Sequence, residues 1–101
     1  MKILILGAGQ VGSTLAKYLC SDDDNDITIV DQKEEMLTPL QRHLDIKTVI
    51  GYGAYPSVLE KAGIKSMDVV IAVMRSDERN MVACRMAHTL YNVKKKIARI
   101  R

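Results

Sequence analysis

Short apolar runs alternate along this chain with longer stretches in which apolar residues recur every three or four positions. The runs at 2–6, 27–30, 46–50, 68–74 and 96–100 are nearly all apolar, the pattern of strands covered on both faces. Between the first two, Val11, Leu15 and Leu19 fall at i, i+4 and i+8, which predicts a helix from about Gln10 to Cys20 with that face inward. Met36, Leu37, Leu40 and Leu44 form a second stripe. Pro39 sits inside it and predicts a kink or a frayed first turn, because an interior proline costs a hydrogen bond and about 3 kcal/mol. Pro56 suits a first helical turn and Gly63 a C-terminal cap, so the two bracket a short third helix. A fourth, about Asp77 to Tyr91, turns Ala83, Met86, Ala87 and Leu90 inward.

Strands alternating with helices predict βαβ units and a parallel sheet. Right-handed crossovers then give an α/β, Rossmann-like fold with strand order 3-2-1-4-5 and helices on both faces. In such a sheet the strand order switches between strands one and four, and ligands bind beyond the carboxyl ends of the strands there. The loops Gly7–Gly12, Asp31–Lys33, Gly51–Ala54 and Met74–Asn80 are therefore expected to converge on one cleft.

The run KILILGAGQVG at 2–12 gives that cleft a chemistry. In a GxGxxG turn between strand and helix, Gly7 allows the tight turn, Gly9 lets backbone approach a pyrophosphate, and Gly12 lets the helix pack closely on the strand. Unpaired N–H groups and the positive end of the helix dipole then attract phosphate without a charged side chain. The run ITIVD ends at Asp31, 19 positions after Gly12. A carboxylate at about that spacing accepts hydrogen bonds from the adenosine ribose and repels a 2′-phosphate, which favours NAD or an adenine nucleotide over NADP.

At 101 residues the chain is expected to be one domain, 1–101, and a piece of a longer protein, since it stops on a basic strand where doubly wound folds usually run to a sixth. Without Phe or Trp its core must be aliphatic. Cys20 and Cys84 fit no zinc or CxxC spacing and read as reduced core thiols, and no apolar stretch reaches the roughly 20 residues of a membrane span. A soluble, cytoplasmic protein is expected. The net charge of +3 raises the question of nucleic acid, but Lys94, Lys95, Lys96, Arg99 and Arg101 crowd the last eight positions, where a DNA-binding surface would carry a basic stripe along a helix. Nucleic-acid binding is not expected. Asp22, Asp23, Asp24 and Asp26 crowd one turn without the order of a calcium loop, and His43 and His88 have no second ligand at metal spacing. No metal site is expected.

The segments ILGAGQVG (5–12), DITIVD (26–31), VLEKAGI (58–64), SDERNMVAC (76–84) and IARIR (97–101) together resemble the KTN or RCK family, the N-terminal nucleotide-binding domains of TrkA-type regulatory subunits of bacterial potassium uptake. The resemblance covers essentially the whole chain. It implies a regulator without catalysis that binds NAD(H) or ATP/ADP and changes shape to control a Trk-type membrane potassium transporter subunit. It also implies a cytoplasmic location, peripheral at the inner face of the cell membrane through that partner. Carried over by position, Gly7, Ala8, Gly9, Gln10, Val11 and Gly12 would cradle phosphates, and Asp31, followed by Gln32, would hold the ribose. Gly51, Tyr52, Gly53 and Ala54 match the loop near the adenine, where many relatives carry Asp or Asn in place of Tyr52, so stacking on the phenol would replace a hydrogen bond. Met74, Ser76, Asp77 and Glu78 would line the far half of the nucleotide, with Arg99 as a basic partner for phosphate. Ser76 and Asp77 read equally as caps of the fourth helix, and Arg99 and Arg101 equally as solvated ends.

A dehydrogenase needs a second element that binds substrate beside the nicotinamide, and the chain has no room for one. A switch is the expected class. The cofactor domain of an NAD-dependent oxidoreductase is the alternative, and a ligand sensor that controls transcription a third. An uncovered fifth strand would be an association site, so a homodimer or higher oligomer is expected.

Overall fold

The computed structural model describes residues 1–100; Arg101, the last residue of the IARIR run, lies outside the described residues. The elements follow in the order β1 (Lys2–Leu6), α1 (Gln10–Cys20), β2 (Asp26–Asp31), α2 (Glu34–His43), β3 (Lys47–Ile50), α3 (Pro56–Lys61), a 3-10 turn (Ile64–Ser66), β4 (Val69–Ala72), α4 (Asp77–Thr89) and β5 (Lys95–Ala98). The strands form one parallel sheet in the order β3-β2-β1-β4-β5.

Alternation along the central strands divides the core in two. Ile3, Ile5, Ile27, Ile29, Val69 and Ile71 face Ala16 of α1 and Leu37 and Leu40 of α2. Leu4, Leu6, Val30, Val70 and Ala72 face Leu59 of α3 and Ala83 and Ala87 of α4. The middle of the sheet is aligned by Ile5, paired with Ile29 on one side and Ile71 on the other.

Continuous apolar cover holds for the central strands and fails at the edges. Lys47 and Ile50 of β3 and Lys95 and Ile97 of β5 are exposed, because each of these strands has a neighbour on one side only. Strand β4 is shorter than its apolar run. Asp68 and Val73 still donate backbone N–H bonds to the Lys2 and Leu6 carbonyls of β1, but they lie outside the ladder. Residues 73 and 74 thereby join the loop at the carboxyl end of the sheet.

The helices correct two expectations about faces. On α1 the fully buried positions are Gly12 and Ala16, with Leu15 and Leu19 flanking them and Val11 exposed. Small residues take the centre because the helix lies close to the strand. Leu90 is 59% exposed, since α4 ends at Thr89 and Leu90 is only its cap. Helix α2 runs from Glu34 to His43 with Pro39 inside it, and the Thr38 hydroxyl donates to the Glu34 carbonyl at 3.1 Å. Pro39 and Glu35 are both exposed, which puts the carbonyl deprived of its amide partner on the solvent side. Pro56 opens α3, and Gly63 adopts φ +81° just beyond its end.

Cys20 and Cys84 are free thiols, each partly buried against a different core face. Burial pushes the Cys84 thiol above its ordinary range, and Lys96 opposes that shift.

Candidate functional site

The turn from β1 into α1 is shaped by two glycines that the protein itself requires. Gly7 has φ +113°, its N–H donates to the Val30 carbonyl at 2.8 Å, and a side chain there would meet the Val73 carbonyl oxygen at 2.9 Å. A Cβ on Gly12 would lie 1.8 Å from the Gly7 carbonyl oxygen. Gly9 differs from both. A Cβ on it would meet nothing within 4 Å, and it caps α1 with no side-chain hydrogen bond and no acidic residue in the first turn. The amides at that helix end therefore face open space, which suits an anion.

Asp31 ties two loops together at the end of β2. One carboxylate oxygen accepts the Ala8 N–H at 2.8 Å, and the other accepts the Lys33 N–H at 2.8 Å. Each oxygen retains a lone pair for a ligand hydroxyl. The Asp31 carbonyl also accepts the Gly51 N–H at 2.9 Å, which anchors the loop after β3. That loop then runs against the sheet: a Cβ on Gly51 would strike Val58 at 2.8 Å, and one on Gly53 would crowd Leu6 and the Met74 Sδ at 3.2 Å. Tyr52 between them is half-buried, meets Tyr55 edge-on at 5.1 Å and lies under the Arg79 guanidinium, 4.5 Å from its ring centroid.

The opposite wall is held by one buried amide side chain. Asn80 is fully buried, and its Oδ1 accepts the Met74 N–H at 2.7 Å. Its Nδ2 donates to the carbonyls of Met74 and Arg99, both at 3.0 Å. One amide thus joins the loop after β4 to the segment after β5. Ser76 caps α4 by accepting the Arg79 N–H at 3.2 Å.

These loops enclose a cleft of about 590 Å³ at the carboxyl ends of the strands. Of the residues expected there, Gly7, Gly9, Gln10, Asp31, Gln32, Gly51, Tyr52, Gly53, Met74, Ser76 and Arg99 line it. Ala8, Val11, Gly12, Ala54, Asp77 and Glu78 are not among its lining residues. Ala8 acts through its N–H to Asp31, and Gly12 through the close approach of α1. Arg75 and Arg79, which line the cleft, and Asn80, which bonds to Met74 and Arg99, lie within the Met74–Asn80 loop expected there, but none of the three is singled out by the sequence. For Asn80 a signal existed: it shares the buried face of α4 with Ala83 and Ala87, a polar residue in an apolar stripe. Among the described lining residues the charges are Asp31 on the β2 side, Lys33 beside it, and Arg75, Arg79 and Arg99 on the β4–β5 side.

A family model described as the TrkA-N domain matches residues 3–101. The Trk system potassium uptake protein TrkA of Halomonas elongata is 54% identical over 101 residues, an alignment that covers all of this chain and 22% of that protein. Among solved structures, the TrkA-N domain of the inner membrane protein YbaL from Escherichia coli superposes with a TM-score of 0.84 at 17% identity, covering 94% of this chain and 69% of that one. The Kef C-terminal domain of Shewanella denitrificans in its AMP-bound form superposes with a TM-score of 0.78 at 23% identity, covering 96% and 57%.

Proposed function

Because the chain belongs to the TrkA-N domain family, we propose that it is the nucleotide-binding regulatory domain of a Trk-type potassium uptake system. It binds NAD(H) or ATP/ADP in the cleft and through it controls a membrane potassium transporter subunit. The observation that carries this reading is the contrast among the motif glycines. Gly7 and Gly12 are required by neighbouring protein atoms, whereas Gly9 opens on free space at the amide end of α1. Phosphates occupy that space, with Gln10 beside them, and the ribose hydroxyls bond to Asp31. Gly51, Tyr52, Gly53 and Ala54 lie toward the base, and Met74, Ser76, Asp77, Glu78 and Arg99 toward the far half of the ligand. The charged lining of Asp31, Lys33 and three arginines favours holding an anion over moving a proton.

Among the described residues no helix is long and apolar enough to cross a membrane. The domain works at the cytoplasmic face through its partner, as a homodimer or higher oligomer. Control operates through differential affinity: a nucleotide that prefers one closure of the cleft shifts the partner by that difference, typically about 1 to 3 kcal/mol.

Calorimetric titration of the chain with ATP, ADP, NADH and NADPH tests the assignment. The expected result is binding of ATP or NADH, with NADPH at least about tenfold weaker than NADH because Asp31 faces its 2′-phosphate. Failure of every adenine nucleotide to bind would overturn it.

A further inference from the structure

One contact in the cleft joins two loops that the chain reaches far apart. Tyr52 belongs to the loop after β3 and Arg79 to the first turn of α4; both line the cleft, and the guanidinium lies 4.5 Å from the ring centroid. Elsewhere the ring is packed by protein. Tyr55 meets it at 5.1 Å and 67°, and its hydroxyl oxygen is buried with no hydrogen-bond partner among the described residues. Gly51 and Gly53 press the same loop against Val58, Leu6 and Met74. Tyr52 is thus fixed from below, whereas Arg79 is exposed and takes part in the α4 cap only through its backbone N–H, which donates to Ser76. The guanidinium can leave the ring without undoing the helix.

A guanidinium and a nucleobase both bind best on the flat face of an aromatic ring, so on one face they compete. A cation over a solvent-exposed ring holds its place by a factor of about three to five, and a stacked base gains about tenfold or more. A base therefore wins the exchange, but its affinity is lowered by the factor that the cation sets.

We propose that Arg79 shields the face of Tyr52 on which an adenine base stacks, so that a nucleotide enters the cleft by displacing the guanidinium. The proposal rests on the nucleotide reading above, with Tyr52 at the base end of the ligand, and deepens it. Arg79 acts through Tyr52 and sets how tightly the base is held.

Adenosine, which carries base and ribose without phosphate, separates this exchange from the charge of the cleft. Amide chemical shifts of the labelled 101-residue chain read its affinity, with melting recorded for every variant. Arg79→Ala should bind adenosine about three- to fivefold tighter than the parent. The same substitution should bring no gain in a Tyr52→Leu background, where no ring face remains to be uncovered, and should keep its gain in Tyr52→Phe. In the parent, saturating adenosine should move the Arg79 side-chain protons downfield as they leave the ring current of Tyr52. Unchanged or weaker adenosine binding in Arg79→Ala, or an equal gain in the Tyr52→Leu background, overturns the shield while parent binding leaves the nucleotide reading standing. Should Tyr52→Leu fail to fold, Arg79 protons that stay in place at saturation overturn it instead. Adenosine that binds neither parent nor Arg79→Ala where ATP binds overturns the shield alone. Failure of adenosine, AMP and ATP alike to bind overturns the shield and the nucleotide reading together.

Discussion

The two walls of the cleft are built by different means. On the β1–β2 side the backbone does the shaping: Gly7 turns at φ +113°, Gly12 admits α1 against the Gly7 carbonyl, and Asp31 clips the Ala8 and Lys33 amides. On the β4–β5 side one buried side chain, Asn80, bonds to Met74 twice and to Arg99 once, and the surface it supports presents arginines. The first wall offers amides and one carboxylate; the second offers cationic side chains on a fixed frame. A backbone-shaped turn thus faces a wall whose side chains can be exchanged without disturbing that turn.

Breaking the second frame should have the largest effect. Asn80→Leu leaves the Met74 amide and the Met74 and Arg99 carbonyls without their partner, at a cost of about 4 kcal/mol in denaturant unfolding. Next comes the first frame. Gly12→Ala places a methyl where the Gly7 carbonyl stands and should cost about 3 kcal/mol. Gly9→Ala, only three residues distant, meets no protein atom within 4 Å and should cost less than about 0.5 kcal/mol while weakening ATP binding tenfold or more. If Gly9→Ala unfolds the domain, the division between structural and ligand-facing glycines is wrong. Tyr52→Phe deletes a buried hydroxyl without a partner and should raise stability by about 1 kcal/mol. The finest probe of the α4–β5 side is Cys84. Its raised thiol holds a proton in the folded state that the unfolded chain releases, so its contribution is present below the ordinary cysteine range and is lost as pH rises above it. Cys84→Ala should flatten that part of the alkaline decline.

Legibility in the sequence followed the same division. Sterics force glycine at Gly7 and Gly12, and a backbone requirement at a set offset is visible in a string of letters. The strand order, the convergence of four loops and the Pro56 and Gly63 boundaries follow from similarly local rules. Ser76, open from the sequence to either a cap or a ligand contact, caps α4 and also lines the cleft. Asn80 and Arg79 were harder to see because their roles depend on partners distant in sequence: Arg99 for one, Tyr52 for the other. Periodicity points Leu90 and Val11 inward, but both lie outside, since they sit at helix ends where no further turn continues the buried face.

The central claim is that one ligand spans both walls. Amide chemical-shift mapping of the isotope-labelled chain during titration with ATP tests it most directly. The account predicts the largest shifts at Gly7–Gly12 and at Met74–Asn80 together, saturating at one common affinity. Shifts confined to the other end of the sheet, around Met1, Lys65 and Lys95, would contradict it.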